Sequence, residues 1–319
     1  MPMDQEQRPS EQNNGQSGQD TAAKESRTRM VEQRIKEAAD FSDSVERIKD
    51  QFVQKSVRDY FQQLLAKRSL TSAEVVNRAD LDKDFGRQVL NGERKTRRDN
   101  YIRLGLAMNL AFPEIQSMLK YVQTGQIYVV RQRDAAIMFC IERKYGLMDT
   151  QLMLDEFGFE PLGDGGFYPD DDIPLKDEAQ TMATRHIEQI IQDASDFSEV
   201  LDNTEGKMLK GSVEQYFDDM LARKNIQKKD LFTRTGISPN LGYQLLRGIR
   251  KSKNRDVYLK IAIEAELTLD ETQQMLKLLN VGAIYPLRER DAVVYYGMTH
   301  GYNLVRIQAL LAERGQPPL

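Results

Sequence analysis

The chain repeats itself, and that constrains its folding more than any other feature. Thr28-Arg29-Met30-Val31-Glu32-Gln33 returns as Thr184-Arg185-His186-Ile187-Glu188-Gln189, and Asp40-Phe41-Ser42 as Asp196-Phe197-Ser198. Ser56-Val57 and Tyr60-Phe61 return as Ser212-Val213 and Tyr216-Phe217. The offset is 156 up to Lys95 and Lys251, then 157 after one inserted residue in the second copy. In that register Arg98-Asp99 matches Arg255-Asp256, and Arg131, Arg133, Asp134 and Ala135 match Arg288, Arg290, Asp291 and Ala292. Roughly a third of the aligned positions are identical. A copy of about 135 residues is far longer than a solenoid repeat and is the size of a domain.

The period inside each copy is helical. Val213, Tyr216, Phe217, Met220 and Leu221 form an i, i+3, i+4, i+7, i+8 stripe, mirrored by Val57, Tyr60, Phe61, Leu64 and Leu65. Further helices are predicted at about 228–235, 239–247, 255–266, 269–280, 290–299 and 304–314. Ser238 before Pro239 reads as a helix start. Strand alternation is weak throughout, so the expected fold class is all-α. Residues 1–26 are rich in Gln, Glu, Ser, Asn and Gly and read as a disordered tail. The predicted units are then 27–162 and 184–319. Residues 163–183 between them read as a linker, with Gly163, Gly165, Gly166, Pro169 and Pro174 among acids. Its Asp170-Asp171-Asp172 run lacks calcium-loop spacing, and Gly163 to Gly166 lack phosphate-loop context.

Composition removes several functions. Among 319 residues, one cysteine and two histidines exclude a disulfide framework and argue against a Cys/His zinc site. Cys140, in an apolar helical run, reads as a core thiol, and His186 and His300 as surface or capping residues. No apolar run approaches the ~20 residues of a membrane span, and no signal-peptide pattern opens the chain. A cytoplasmic protein, with no enzymatic activity, cofactor or metal, is the expectation.

One constellation carries a function. A short helix ends at Gly236, a helix begins at Pro239, and it ends at Gly248 ahead of Arg250 and Lys251. That is the layout of a helix-turn-helix. Gly242-Tyr243-Gln244, Gly248 to Lys251, Arg255-Asp256, Leu269 to Leu276, Ile284-Tyr285-Pro286 and Arg290-Asp291-Ala292 extend the pattern. With these residues the chain resembles the phage-repressor-like (XRE, lambda-repressor-like) helix-turn-helix regulators, over about 211–319 and less faithfully over 55–162. The resemblance implies a compact five-helix DNA-binding core in each unit and a transcriptional role. The first copy departs from the pattern: Asp80 replaces the turn glycine, and Asp82 and Asp84 follow it, putting negative charge where phosphates would approach.

Net charge is only -4, but its distribution favours nucleic acid. Residues 239–260 hold six basic residues and one acid, and residues 83–103 seven basic residues and three acids. The expected contacts to double-stranded DNA are Asn240, Tyr243, Gln244, Arg247, Arg250, Lys251, Lys253 and Arg255 in the second copy. In the first they are Lys83, Arg87, Gln88, Arg94, Lys95, Arg97 and Arg98. Asn and Gln pair with adenine and Arg with guanine, and the basic loop lies on phosphates. Ser252 and Thr96 sit at equivalent places in that loop, where a phosphate group would repel DNA. The helices after each core are expected to pack the copies together, or to hold a homodimer or protein partner. The acidic first turn keeps an alternative open: a non-catalytic protein-interaction scaffold built from degenerate helix-turn-helix modules.

Overall fold

A computed structural model describes residues 14–52, 56–163, 178–204, 213–250, 252 and 254–319. The fold is all-α. The first copy contains α1 (Asn14–Glu37), α2 (Phe41–Ile48), α3 (Val57–Lys67), α4 (Ser72–Arg78), α5 (Lys83–Leu90), α6 (Arg98–Ala107), α7 (Phe112–Tyr121), α8 (Gln132–Glu142) and α9 (Leu147–Glu156). The second contains α10 (Glu178–Asp193), α11 (Phe197–Thr204), α12 (Val213–Arg223), α13 (Lys228–Thr235), α14 (Pro239–Leu246), α15 (Asp256–Glu264), α16 (Leu269–Leu278), α17 (Glu289–Thr299) and α18 (Leu304–Glu313). The predicted helices of the second copy match to within two residues at each end. Two expectations are corrected at the margins. Helix α1 reaches back to Asn14, into the segment expected to be an unstructured tail, and α10 starts at Glu178, inside the expected linker. Gln, Ala, Lys and Glu in these stretches carry good helix propensity, which polarity alone did not reveal. The remainder of both segments, 1–13 and 164–177, lies outside the described residues.

Local chemistry places the helix starts. Ser56 with Asp59, Thr71 with Glu74, and Thr268 with Glu271 form reciprocal capping boxes. The predicted stripe is buried on α12 at Tyr216, Phe217, Met220 and Leu221, and on α3 at Phe61 and Leu65. Helices α8 and α17 are buried nearly all round and form the centre of each half. Cys140 is fully buried on α8, and burial pushes its thiol up to about 12.

Part of what covers α8 and α17 comes from the other copy. The α1–α2 pair packs on α17, and the α10–α11 pair packs on α8. Phe41 meets Tyr296 with ring centroids 5.1 Å apart, and its counterpart Phe197 meets Phe139 at 5.7 Å. His300 caps the end of α17, and its Nε2 lies 3.0 Å from the Ala38 carbonyl oxygen. At the matching position Arg143 donates to the carbonyls of Ile191 and Ala194. The two N-terminal hairpins are therefore exchanged between the copies.

The contact between the copies is reciprocal. Thr124 forms an antiparallel bridge with Val281, its own equivalent. Arg131 donates to the Leu278 carbonyl, and Arg288 to the Tyr121 carbonyl. Lys277 lies over the Tyr128 ring at 4.0 Å, and Lys120 over Tyr285 at 4.6 Å. When residue i of one unit meets j of the other and j meets i, the units are related by a two-fold axis. The axis passes at the Thr124–Val281 bridge, so one chain contains a pseudo-symmetric dimer. The expectation that the post-core helices join the copies by packing together is corrected: the segments 122–131 and 279–288 between those helices supply the seam, and the exchanged N-terminal hairpins pack on α8 and α17.

Candidate nucleic-acid interface

Helices α13 and α14 meet through a three-residue connection. Gly236 closes α13 in the left-handed region at φ 68°, where a side chain would be strained. Ile237 then turns into the core, and Ser238 precedes Pro239. Ser238 occupies the cap position but makes no side-chain capping bond, while Asp82 at the same place in the first copy accepts from the backbones of Asp84 and Phe85. Gly242 lets the helices close on each other: a Cβ there would lie 2.3 Å from the Phe232 ring. Gly86 does the same against Val76, at 2.6 Å.

The first copy reaches the same turn by another route. Asp80 takes φ 50°, and Arg103 holds it in place. The guanidinium donates to the Ala79 and Asp80 carbonyls and lies 3.1 Å from the Asp80 carboxylate. Arg103 thus partly balances the charge that replaced the glycine. The second acid, Asp82, is spent on capping α5, and the third, Asp84, lies 3.4 Å from Arg87 with both side chains exposed.

The exposed face of α14 presents Asn240, Tyr243 and Arg247, with Gln244 half-exposed beside them. Gln244 donates to the Asn240 side chain at 3.1 Å, and Arg247 lies 3.2 Å from Glu214. Tyr243 is 45% exposed and rests one ring edge on Phe232, whereas Leu241 packs inward. Arg250 is exposed just beyond the helix. On α5, Lys83 and Arg87 are exposed and Gln88 is half-exposed, followed by exposed Arg94, Lys95 and Arg97. The Arg94 guanidinium also lies over the Phe85 ring at 4.9 Å. Lys251 and Lys253 lie outside the described residues. Both loops are pinned by a tyrosine: Tyr258 accepts from the Ser252 backbone at 2.9 Å, and Tyr101 bonds the Thr96 backbone. Burial pushes both phenols above their usual range.

Two expected contacts sit elsewhere. Arg98 and Arg255 do not face outward with the rest of the basic loops. Arg255 makes a two-pronged pair with Asp291, at 2.6 and 3.1 Å, and donates to the Ala283 carbonyl at 2.9 Å. Arg98 pairs with Asp134, both buried. The Asp134 and Asp291 carboxylates also accept from the Tyr128 and Tyr285 backbones, at 2.7 and 2.8 Å. Crossing these bonds, Arg133 pairs with Asp99 at 2.8 Å and Arg290 with Asp256 at 2.9 Å. Burial pulls the Arg255 pKa down, but Asp291 outweighs it and leaves it above the usual value. The repeated Arg-Asp dipeptides therefore clamp α6 to α8 and α15 to α17, fixing each loop to the seam between the copies.

Sequence reasoning overlooked Arg78 and Arg234, exposed equivalents on the last turn before each interhelical connection. The signal was present, since both copies carry arginine there. It also overlooked Ile249, 60% exposed between Gly248 and Arg250.

Comparison with models of known families, with curated proteins and with solved structures finds no match for the chain. Among the described residues, no group of three or more His, Cys, Asp or Glu side chains is placed to hold a metal ion. No helix among them is long and apolar enough to cross a membrane.

Proposed function

We propose that the chain is a sequence-specific DNA-binding regulator, with α4–α5 and α13–α14 acting as helix-turn-helix modules of the repressor-like type. Helices α5 and α14 enter the major groove, and the loops that follow lie on phosphates. One observation carries the reading. The exposed polar face of α5 is continuous with exposed Arg94, Lys95 and Arg97, that of α14 with exposed Arg250, and a pseudo-two-fold axis relates the two copies. Single modules bury little DNA surface, so paired modules suit useful affinity.

The test is fluorescence anisotropy with mixed genomic duplex fragments, titrated across salt concentrations. Affinity falling steeply with salt, and weakened by Arg94→Ala with Arg250→Ala, is the expected result. Absence of binding at low salt overturns the proposal. A protein-interaction scaffold is the second reading, favoured by exposed Met148 and Leu152 along one face of α9 and exposed Tyr145 just before it. Binding to DNA that is insensitive to these three residues separates the two.

A further inference from the structure

We infer that one chain is the complete binding unit for a non-palindromic duplex site whose halves differ in base composition. This deepens the DNA-binding reading and rests on it.

A two-fold axis keeps related elements at the same height along itself. Helices α5 and α14 therefore sit at the same height along the pseudo-two-fold axis through Thr124 and Val281. B-DNA has local two-fold axes of its own, perpendicular to its length, and paired modules exploit them by reading half-sites one helical turn apart. A symmetric dimer is bound by that match to a palindrome, because its two reading surfaces are identical. Here they are not.

Each second helix carries a self-paired polar couple on its exposed face. On α14 it is Asn240 with Gln244, two side-chain amides 3.1 Å apart. On α5 it is Asp84 with Arg87, 3.4 Å apart. Asp84 occupies the position of Asn240, and Arg87 that of Tyr243. Such an exposed pair is weak and opens readily when better partners arrive. The chemistry of the two couples selects different bases. Amides match the N6 and N7 edge of adenine. A guanidinium matches O6 and N7 of guanine, and a carboxylate accepts from N4 of cytosine. The first copy is thereby suited to a half-site containing G·C pairs, and the second to one containing A·T pairs. Asp84, which looks like a defect against phosphate, becomes a base-reading group beside Arg87. All three acids of this turn are exposed, but Asp80 lies beside Arg103 and Asp82 caps the helix, whereas Asp84 is the one on α5 itself, beside Arg87.

The experiment is selection from a randomised duplex pool with the full chain, read by sequencing. Mass photometry of the complexes counts chains per duplex. The wild type is expected to enrich two unlike blocks about 10 base pairs apart, centre to centre, with one chain per duplex. Arg87→Ala relaxes only the G·C-bearing block, and Asn240→Ala with Gln244→Ala only the other. The loss of preference is roughly ten-fold or more in each case. These three positions are at the surface, and circular dichroism checks that the variants remain folded. A palindromic motif bound by two chains, or a single block indifferent to Arg87, overturns this inference while leaving DNA binding intact. Failure to enrich any duplex, together with no salt-dependent binding, overturns both.

Discussion

Gly282 and Gly125 occupy equivalent places in the seam, and neither has a positive φ, so space alone decides what a side chain does there. A Cβ on Gly282 would lie 2.4 Å from the Gln123 carbonyl oxygen, and one on Gly125 would lie 2.5 Å from that of Asn280. An ordinary carbon–oxygen contact is about 3.3 Å, so Gly282→Ala forces the strands apart by roughly 0.9 Å. At Gly282 the opposing atoms are backbone and cannot swing away as a side chain would; at Gly125 the Asn280 side-chain Oδ1 also lies in the way and can move, but the carbonyl behind it cannot. Overpacking of this kind costs about 1–3 kcal/mol. Weakening the Thr124–Val281 bridge adds about 1 kcal/mol. For a cooperative unit this large, each kcal/mol moves Tm by about 2 °C, so the expected drop is roughly 4–8 °C. Differential scanning calorimetry gives the Tm, and small-angle scattering detects separation of the halves. Gly125→Ala should match Gly282→Ala, because the two sites are related by the pseudo-axis. The double variant should fall short of the sum, because both substitutions open one seam. A wild-type Tm for Gly282→Ala, or one variant silent while the other melts early, would refute the two-fold reading.

Three further outcomes follow from named contacts. Arg255→Met leaves the buried Asp291 carboxylate without its guanidinium and should cost about 3–5 kcal/mol in denaturant unfolding, whereas Arg250→Ala, exposed, should stay within about 0.5 kcal/mol. Burial raises the Glu114 and Glu271 carboxyls, but Arg68 with the Ala111 amide, and the Thr268 amide with Lys224, outweigh it and hold both below the usual 4.5. The stability they add is complete above about 4.5 and is lost as pH falls through their lowered folded values, so Glu114→Gln with Glu271→Gln should flatten the acid limb of a Tm-versus-pH curve. Finally, Phe41→Ala should cost about 3–5 kcal/mol, and hydrogen exchange should lose protection in α17 of the second half; loss in α8 instead would refute the hairpin exchange.

Most of the helical architecture was readable from local signals. The stripe ending in Met220 and Leu221, the break at Gly236 and the start at Pro239 each act within a turn or two. The long-range arrangement was not. Nothing in the spacing of Asp40-Phe41-Ser42 says that Phe41 packs on Tyr296 rather than within its own copy, because the repeat makes both partners chemically equivalent. The candidate interface was legible wherever exposure follows from helix phase, as for Asn240, Tyr243 and Arg247. It misled at Arg98 and Arg255, whose place at the end of a basic run looks solvent-facing. Their true partners lie 36 residues further along, in another Arg-Asp dipeptide. The repetition of that dipeptide was visible, but its crossed pairing is a tertiary fact.

The distribution of differences between the copies bears on why two are fused. The side chains that reach across the seam are kept: Arg131 and Arg288, Lys120 and Lys277, Tyr128 and Tyr285, with the four Arg-Asp pairs behind them, while residues that offer only backbone there differ, as Thr124 and Val281 do. On the proposed reading faces Gln88 and Gln244, Arg94 and Arg250, and Lys95 and Lys251 are shared, but Asp80 stands against Gly236, Asp84 against Asn240, Arg87 against Tyr243, and Glu93 against Ile249. In a homodimer every substitution appears twice, so a change suited to one half-site is imposed on the other. Fusion removes that constraint, provided the seam holds the modules in register. The turn kept its left-handed residue through this divergence, and Arg103 holds it by donating to the Ala79 and Asp80 carbonyls. The opposite result in the selection experiment, identical blocks under both halves, would mean that these substitutions lie outside the groove.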